Sequence, residues 1–190
     1  MRNKLAIVVG HNARSQGAVR PDTGESEYVY NSAMAEYMEE IAPEYGLNLR
    51  VFKRQPGGGY SAEIRRVYGQ VDDWVANASI ELHFNAAGDP RASGTETLSS
   101  GSRGSLILAQ EVQMEMVETL GLRDRGIKVR NRRTRGRGYM SLVTGRCPAI
   151  LTEPFFATSL KGQRASDDLH ERRAIAEAIL EGVVRAMAQF

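Results

Sequence analysis

Three histidines occur in the 190 residues, and two of them stand at the ends of candidate strands. His11 follows Leu5-Ala6-Ile7-Val8-Val9-Gly10, and His83 lies near the end of the run from Ala78 to Phe84. Glu153 lies near the end of a third such stretch, which starts at Ala149. Imidazole is the commonest metal ligand among side chains, and a carboxylate can either ligate or move protons. Two His with one Glu or Asp make a familiar catalytic zinc set that keeps one position open for water. A single strand-end histidine is ordinarily structural; it is the pair, on two separate strands, that supports a metal. Glu25 and Glu27 both qualify as the third ligand, although a carboxylate before a helix is favoured by the helix dipole with or without a metal. His170, close behind Asp167 and Asp168, reads as a solvated helix residue.

These residues are far apart in sequence, so the elements around them must bring them together. Lys4 to Val9 has the continuous apolar character of a strand covered on both faces. Ser26 is a candidate N-cap for a helix carrying Tyr30, Met34, Tyr37, Met38 and Ile41, which Pro43 closes. Asn48 to Lys53 alternates as a second strand, and Gly57-Gly58-Gly59 reads as a turn before a helix with Ile64, Val67, Tyr68, Val71 and Val75 on one face. Ala78 to Phe84 and Gly94 to Ser99 are further strands. Leu106, Ala109, Val112, Met116 and Leu120 mark a helix stopped by Gly121. The stretch from Arg123 to Gly138 reads mostly as loop, Ala149 to Phe155 as a strand, and Ala174, Ile175, Ile179, Val183 and Met187 as a last helix. Strands alternating with helices predict one α/β domain, with a mostly parallel twisted sheet and helices on both faces. In such sheets ligands bind beyond the carboxyl ends of the strands, where His11, His83 and Glu153 fall.

Composition excludes several classes. With 42% hydrophobic and 25% charged residues, the chain is neither disordered nor fibrous. The lone Cys147 rules out an internal disulfide and a thiolate-based zinc site. A net charge of +2 does not by itself point to nucleic acid or membrane, and no apolar run is long enough to span a bilayer. Arg2 and Lys4 precede an apolar run too short for a secretory core, which predicts cytoplasmic synthesis without a signal peptide. The glycine triplet lacks the Lys-Ser/Thr of a phosphate loop, and Gly101 to Ser105 does not fit a nucleophile elbow.

Six fragments in order resemble the zinc-dependent N-acetylmuramoyl-L-alanine amidases of bacterial cell-wall hydrolases and phage endolysins. They are Val-Val-Gly-His11, Glu27-x-x-x-Asn31, Glu81-Leu-His83-Phe-Asn85-Ala86, Gly94-Thr-Glu-Thr97, Asp124-Arg-Gly-Ile-Lys128 and Pro148-Ala-Ile-Leu-Thr-Glu153. The resemblance implies that His11, Glu27 and His83 hold Zn2+, Glu27 being preferred to Glu25 for its spacing to Asn31, and that Glu153 is the catalytic glutamate. It implies hydrolysis of the amide between N-acetylmuramic acid and L-alanine, with Glu153 taking a proton from water and returning it to the departing amine. Two stretches depart from the family pattern: Asn12-Ala-Arg14-Ser-Gln16 is bulkier than the usual glycine-rich segment, and Pro154-Phe155-Phe156 replaces a glycine-containing continuation. Residues 1–190 are expected to form the catalytic domain alone, with no separate wall-binding domain.

Arg123 to Arg137 carries eight basic residues against Asp124 alone. Such a run is often a solvated or nucleic-acid-attracting surface. Stem peptides carry carboxylates, which arginine grips with paired hydrogen bonds. Arg132, Arg133 and Arg135 are therefore expected to bind substrate, on a mobile loop, and Asn85 is expected to bind substrate as well. The expected partner is peptidoglycan, met by a monomer that neither binds nucleic acid nor inserts into membrane. Action on the periplasmic or extracellular wall without a signal peptide points to a phage or prophage lysis enzyme. The competing readings are a zinc peptidase acting on other peptides, a non-catalytic peptidoglycan-binding module, and a nucleic-acid-binding protein.

Overall fold

The computed structural model describes residues 3–190; Arg2, counted above with Lys4, lies outside them. The described residues form six strands: β1 (Lys4–Val9), β2 (Asn48–Lys53), β3 (Ala78–Leu82), β4 (Thr95–Ser99), β5 (Asp124–Val129) and β6 (Ala149–Glu153). They form one sheet in the order β2-β1-β3-β6-β4-β5. The first four in that order are mutually parallel, β4 runs antiparallel to β6, and β5 runs parallel to β4. The sheet is thus mixed, with a single antiparallel pair. This reversal brings the amino ends of β4 and β5 to the edge where β1, β3 and β6 have their carboxyl ends.

The helices are α1 (Glu27–Ile41), α2 (Tyr60–Asp73), α3 (Arg103–Leu120), α4 (Tyr139–Val143), α5 (Leu160–Arg164) and α6 (Leu169–Met187), with a 3-10 turn at Ala42–Tyr45. Alternation along β1 divides the core, because successive strand side chains leave opposite faces. Leu5, Ile7 and Val9 join a large cluster with Met34 and Met38 of α1, Leu108 and Val112 of α3, and Ile175 and Ile179 of α6. Ala6 and Val8 join a smaller one with Ile64, Val67, Tyr68 and Val71 of α2. The apolar run of β1 is uninterrupted because both faces are covered.

Two expectations are corrected. The basic stretch after Arg123 begins as strand β5, whose side chains are half-buried or exposed. An edge strand backed only by α3 needs little apolar surface, so its pattern resembled a loop. Val75 is no part of the α2 stripe: it follows the helix at φ 57° and is 67% exposed. Ser26 and Gly121 cap α1 and α3 as anticipated.

Candidate metal centre

β1 and β3 are adjacent and parallel, so His11 and His83 emerge side by side, with ring centroids 5.1 Å apart. His11 turns the chain sharply after β1 with φ 66°, a left-handed conformation that costs a non-glycine residue energy and is typical of functional positions. Glu27 arrives from the first turn of α1, whose start is fixed by the Ser26 hydroxyl accepting from the Val29 amide. Its Oε2 lies 3.1 Å from His11 Nε2 and its Oε1 2.6 Å from His83 Nδ1. The amides of Ala18 and Phe84 donate to the same two oxygens. The segment after His11 folds back over this group, and Gly17 closes the approach at φ 80°. A Cβ there would stand 2.6 Å from Glu27 Oε2 and 2.7 Å from the His11 ring.

The electrostatics follow from this packing. Burial works against the charge on Glu27, but hydrogen bonds from His11 and His83 outweigh it and hold the carboxyl well below its ordinary range. Burial likewise disfavours a charged His83, yet the Glu27 and Glu81 carboxylates push its pKa up to about 10. Glu81 is fully buried and accepts from His83 Nε2 at 3.0 Å, while the Tyr68 hydroxyl donates to its other oxygen. Arg54 extends the network to Glu63, which also receives the side-chain amide of Asn12. Sequence reading gave Glu81, Arg54 and Glu63 no role. The signal for Glu81 was its place two residues before His83 on one strand face, which period-two alternation puts beside the ligand.

Among the described residues, His11, Glu27 and His83 form a group whose potential ligand atoms all lie within 4.8 Å of one another. Ligands around a tetrahedral zinc at the usual bond lengths stand about 3.3 Å apart, and the two imidazole-to-carboxylate separations here, 3.1 and 2.6 Å, lie at and below that value. Each oxygen of Glu27 faces one imidazole nitrogen, and the remaining nitrogen of His83 is held by a buried carboxylate, as metal-ligating histidines usually are. The donor set fits a divalent metal. Glu25 stays out of it, paired instead with Arg172.

The three residues line a cleft of about 630 Å³ together with Glu153, Arg54, Tyr60, Glu81, Arg137 and Tyr139. Glu153 ends β6, next to β3. Burial lifts its carboxyl to about 7, with His83 and Arg137 pulling it back. Its Oε1 accepts from Arg137 at 3.0 Å, and its Oε2 is buried without a hydrogen-bond partner. A carboxyl held in this way can take up and give back a proton near neutrality.

A family model for N-acetylmuramoyl-L-alanine amidases, Amidase_3, matches residues 5–185. The chain belongs to that family. YqiI of Bacillus subtilis strain 168, itself described as uncharacterized, is 28% identical over 181 residues, covering 93% of this amidase-family chain and 81% of that one. Two solved structures share the fold. One is the catalytic domain of the N-acetylmuramoyl-L-alanine amidase CwlV from Bacillus (Paenibacillus) polymyxa var. colistinus, at 24% identity, TM-score 0.81 and 98% of each chain. The other is the N-acetylmuramoyl-L-alanine amidase of Clostridium difficile 630, at 22% identity, TM-score 0.79, and 99% of this chain against 98% of that one.

The substrate-binding residues expected from the sequence are placed differently. Asn85 is buried, and its amide is engaged on both sides, by Glu96 and by Arg137. Arg132, Arg133 and Arg135 are exposed and do not line the cleft. Arg132 and Arg135 border, with Arg65 and Tyr139, a neighbouring depression of about 400 Å³. Arg137 is the basic-run residue that reaches the cleft. Of the two stretches that depart from the family pattern, Pro154-Phe155-Phe156 is buried, Phe155 packing against Tyr30 and Phe84 in the core, whereas in Asn12–Gln16 only Asn12 is buried, and Asn12 and Ser15 line the cleft.

Proposed function

We propose that the protein is a zinc-dependent N-acetylmuramoyl-L-alanine amidase in which His11, Glu27 and His83 hold the ion and Glu153 is the catalytic base and acid. The observation that carries this reading is the arrival of a buried carboxylate poised near pH 7 in the same cleft as a two-histidine, one-carboxylate group. Zinc, when bound, supplies Lewis acidity that polarises the scissile carbonyl and makes water easier to deprotonate. Glu153 has one oxygen engaged by Arg137 and one without a partner. The free oxygen takes a proton from the water whose oxygen adds to the lactyl carbonyl carbon, and as the C–N bond breaks the carboxyl returns that proton to the departing amino group of L-alanine. Glu81 holds the His83 ring, so the imidazole meets the ion with its orientation already fixed. The stem peptide's carboxylates lie along the exposed Arg132, Arg133 and Arg135, the first and last of which border the neighbouring depression.

The same reading makes residues 1–190 the catalytic domain, a twisted sheet with helices on both faces acting as a monomer on peptidoglycan, in a lysis enzyme of phage or prophage type. No helix of the described residues is long and apolar enough to cross a membrane.

The test is release of free amino groups from purified sacculi. Amine release that stops on chelation and returns with zinc, with no new reducing sugar ends, is the expected outcome. Chelator-insensitive release, or release from wall-free peptides as fast as from sacculi, overturns it.

A further inference from the structure

Glu153 has one hydrogen-bond partner for its carboxylate among the described residues, Arg137. Nothing in β6 itself fixes the rotation of that carboxyl group, and a proton acceptor must be held to within fractions of an ångström of its working geometry. Arg137 is a surprising anchor, because its side chain is 70% exposed, and a free arginine on a surface would wander among rotamers.

It is not free. The same terminal nitrogen that meets Glu153 donates to Asn85 Oδ1 at 3.1 Å. Asn85 cannot turn its amide over: Nδ2 donates to Glu96 Oε1 at 2.9 Å, and Oδ1 also accepts from the Ala86 amide. Its backbone is stitched to the segment just beyond Glu153, donating to Phe155 and accepting from Ala157. Glu96 is held in turn by Arg125 Nε at 2.7 Å, and the Arg125 guanidinium lies 4.8 Å over the Phe156 ring. The antiparallel pairing of β4 with β6 sets Glu96 directly across from Glu153. Two carboxylates on neighbouring strands would repel, and the two arginines interleave with them.

We infer that Arg137 is a positioning residue for Glu153, itself aimed by a hydrogen-bonded chain that runs from Arg125 through Glu96 and Asn85. The chain begins on edge strand β5 and ends at the base, so the reversed part of the sheet acts on the reaction without touching substrate. It also gives Asn85 a task other than binding substrate.

This inference rests on the amidase reading, and the experiment separates the two. Arg137→Gln should fold, since the side chain is exposed, and should keep its metal. We expect its kcat for amine release from sacculi to fall roughly 10- to 100-fold while KM stays within about twofold. Arg137→Lys, which keeps a charged donor, should recover most of kcat. Asn85→Ala should lower kcat in the same way, and the Arg137→Gln/Asn85→Ala pair should be no worse than the worse single variant, as members of one chain are. A crystal structure of Arg137→Gln should show the Glu153 carboxylate turned from its wild-type orientation. A rise in KM with kcat intact would make Arg137 a substrate contact and overturn the inference, as would equal kcat loss in the Gln and Lys variants. An unmoved Glu153 in the variant structure overturns it too, even if wild-type protein releases no amine and the amidase reading itself fails.

Discussion

Glu27 lies in the cleft and Arg132 borders the depression beside it, and the two charges are held in opposite ways. Glu27 is 4% exposed, and each of its oxygens is shared between an imidazole and a backbone amide. Arg132 is exposed and has no ion-pair partner among the described residues. The floor of the cleft is therefore pre-organised, its charges already desolvated and mutually satisfied, and a change there leaves a neighbour buried without its partner. The arginine wall is solvated and screened, and a change there removes only what substrate would have gained. Losses on the floor should be large and all-or-none in character; losses on the wall should be small, graded and dependent on salt.

The sharpest break of the floor is Glu153→Gln. The amide keeps the shape but cannot accept the proton, so turnover should fall about 10²- to 10⁴-fold with the metal retained; activity within about threefold of wild type would remove Glu153 from the mechanism. The same variant has a stability signature. The folded-state pKa of Glu153 is raised from 4.5 to about 7, so the native state prefers the protonated form. Its stabilising effect is complete below the unfolded pKa and is lost as pH rises through that of the folded state. Metal-free Glu153→Gln should gain melting temperature over metal-free wild type as pH rises from 4.5 to 7, and the gain should level off above that. A difference independent of pH would mean that burial does not raise this carboxyl.

Gly17→Ala tests the floor from behind the metal group. A Cβ at this position meets both Glu27 and His11, and φ 80° is costly for alanine. Either the loop after His11 shifts or the ligands do. Zinc affinity measured by competition with a chromogenic chelator should weaken by about 10- to 100-fold, the range for disturbed ligand orientation. Glu25→Ala, which cuts only the pair with Arg172, should leave that affinity unchanged. If Glu25→Ala weakens zinc binding and Gly17→Ala does not, the assignment of the third ligand is wrong.

How much of this was legible in the sequence also follows the division between floor and wall. His11, His83 and Glu153 were legible because strand-like stretches end at or near them, and a strand buried on both faces, as β1 is, writes its apolar run plainly. Glu27 could be separated from Glu25 only by its spacing to Asn31, because at a helix start both carboxylates have the same local reason to exist. Glu81 and Glu96 stood in the quoted fragments without a role, because a buried carboxylate inside a strand is explained only by its partners, here His83 and Tyr68 or Asn85 and Arg125. β5 was missed because an edge strand with half-exposed faces carries little apolar signal. The reversal of β4 was not legible either, since direction in the sheet is set by pairing rather than by any residue within Thr95–Ser99. Arg137 could not be told from its neighbours by type; only the turn into α4 selects which arginine enters the cleft.

The wall is tested by replacing Arg132, Arg133 and Arg135 together with Gln. All three are exposed, and none belongs to the Arg125-to-Glu153 chain, so zinc content and kcat should not change. Exposed charge contacts contribute little each, between 0 and about 1 kcal/mol, so KM for sacculi should rise by a modest factor, roughly 3- to 10-fold for the set. Screening gives a second measure of the same contacts. Because charges further apart than about 8 Å are largely screened at physiological ionic strength, the wild-type KM should climb as salt is added, whereas the triple variant, already without these contacts, should respond less. Convergence of the two curves at high salt would identify the wall as an electrostatic grip on the acidic stem peptide. Parallel curves, with sacculus cleavage unaltered and only DNA retention lost, would return the segment to an ordinary basic surface and leave Arg137 as the arginine that matters.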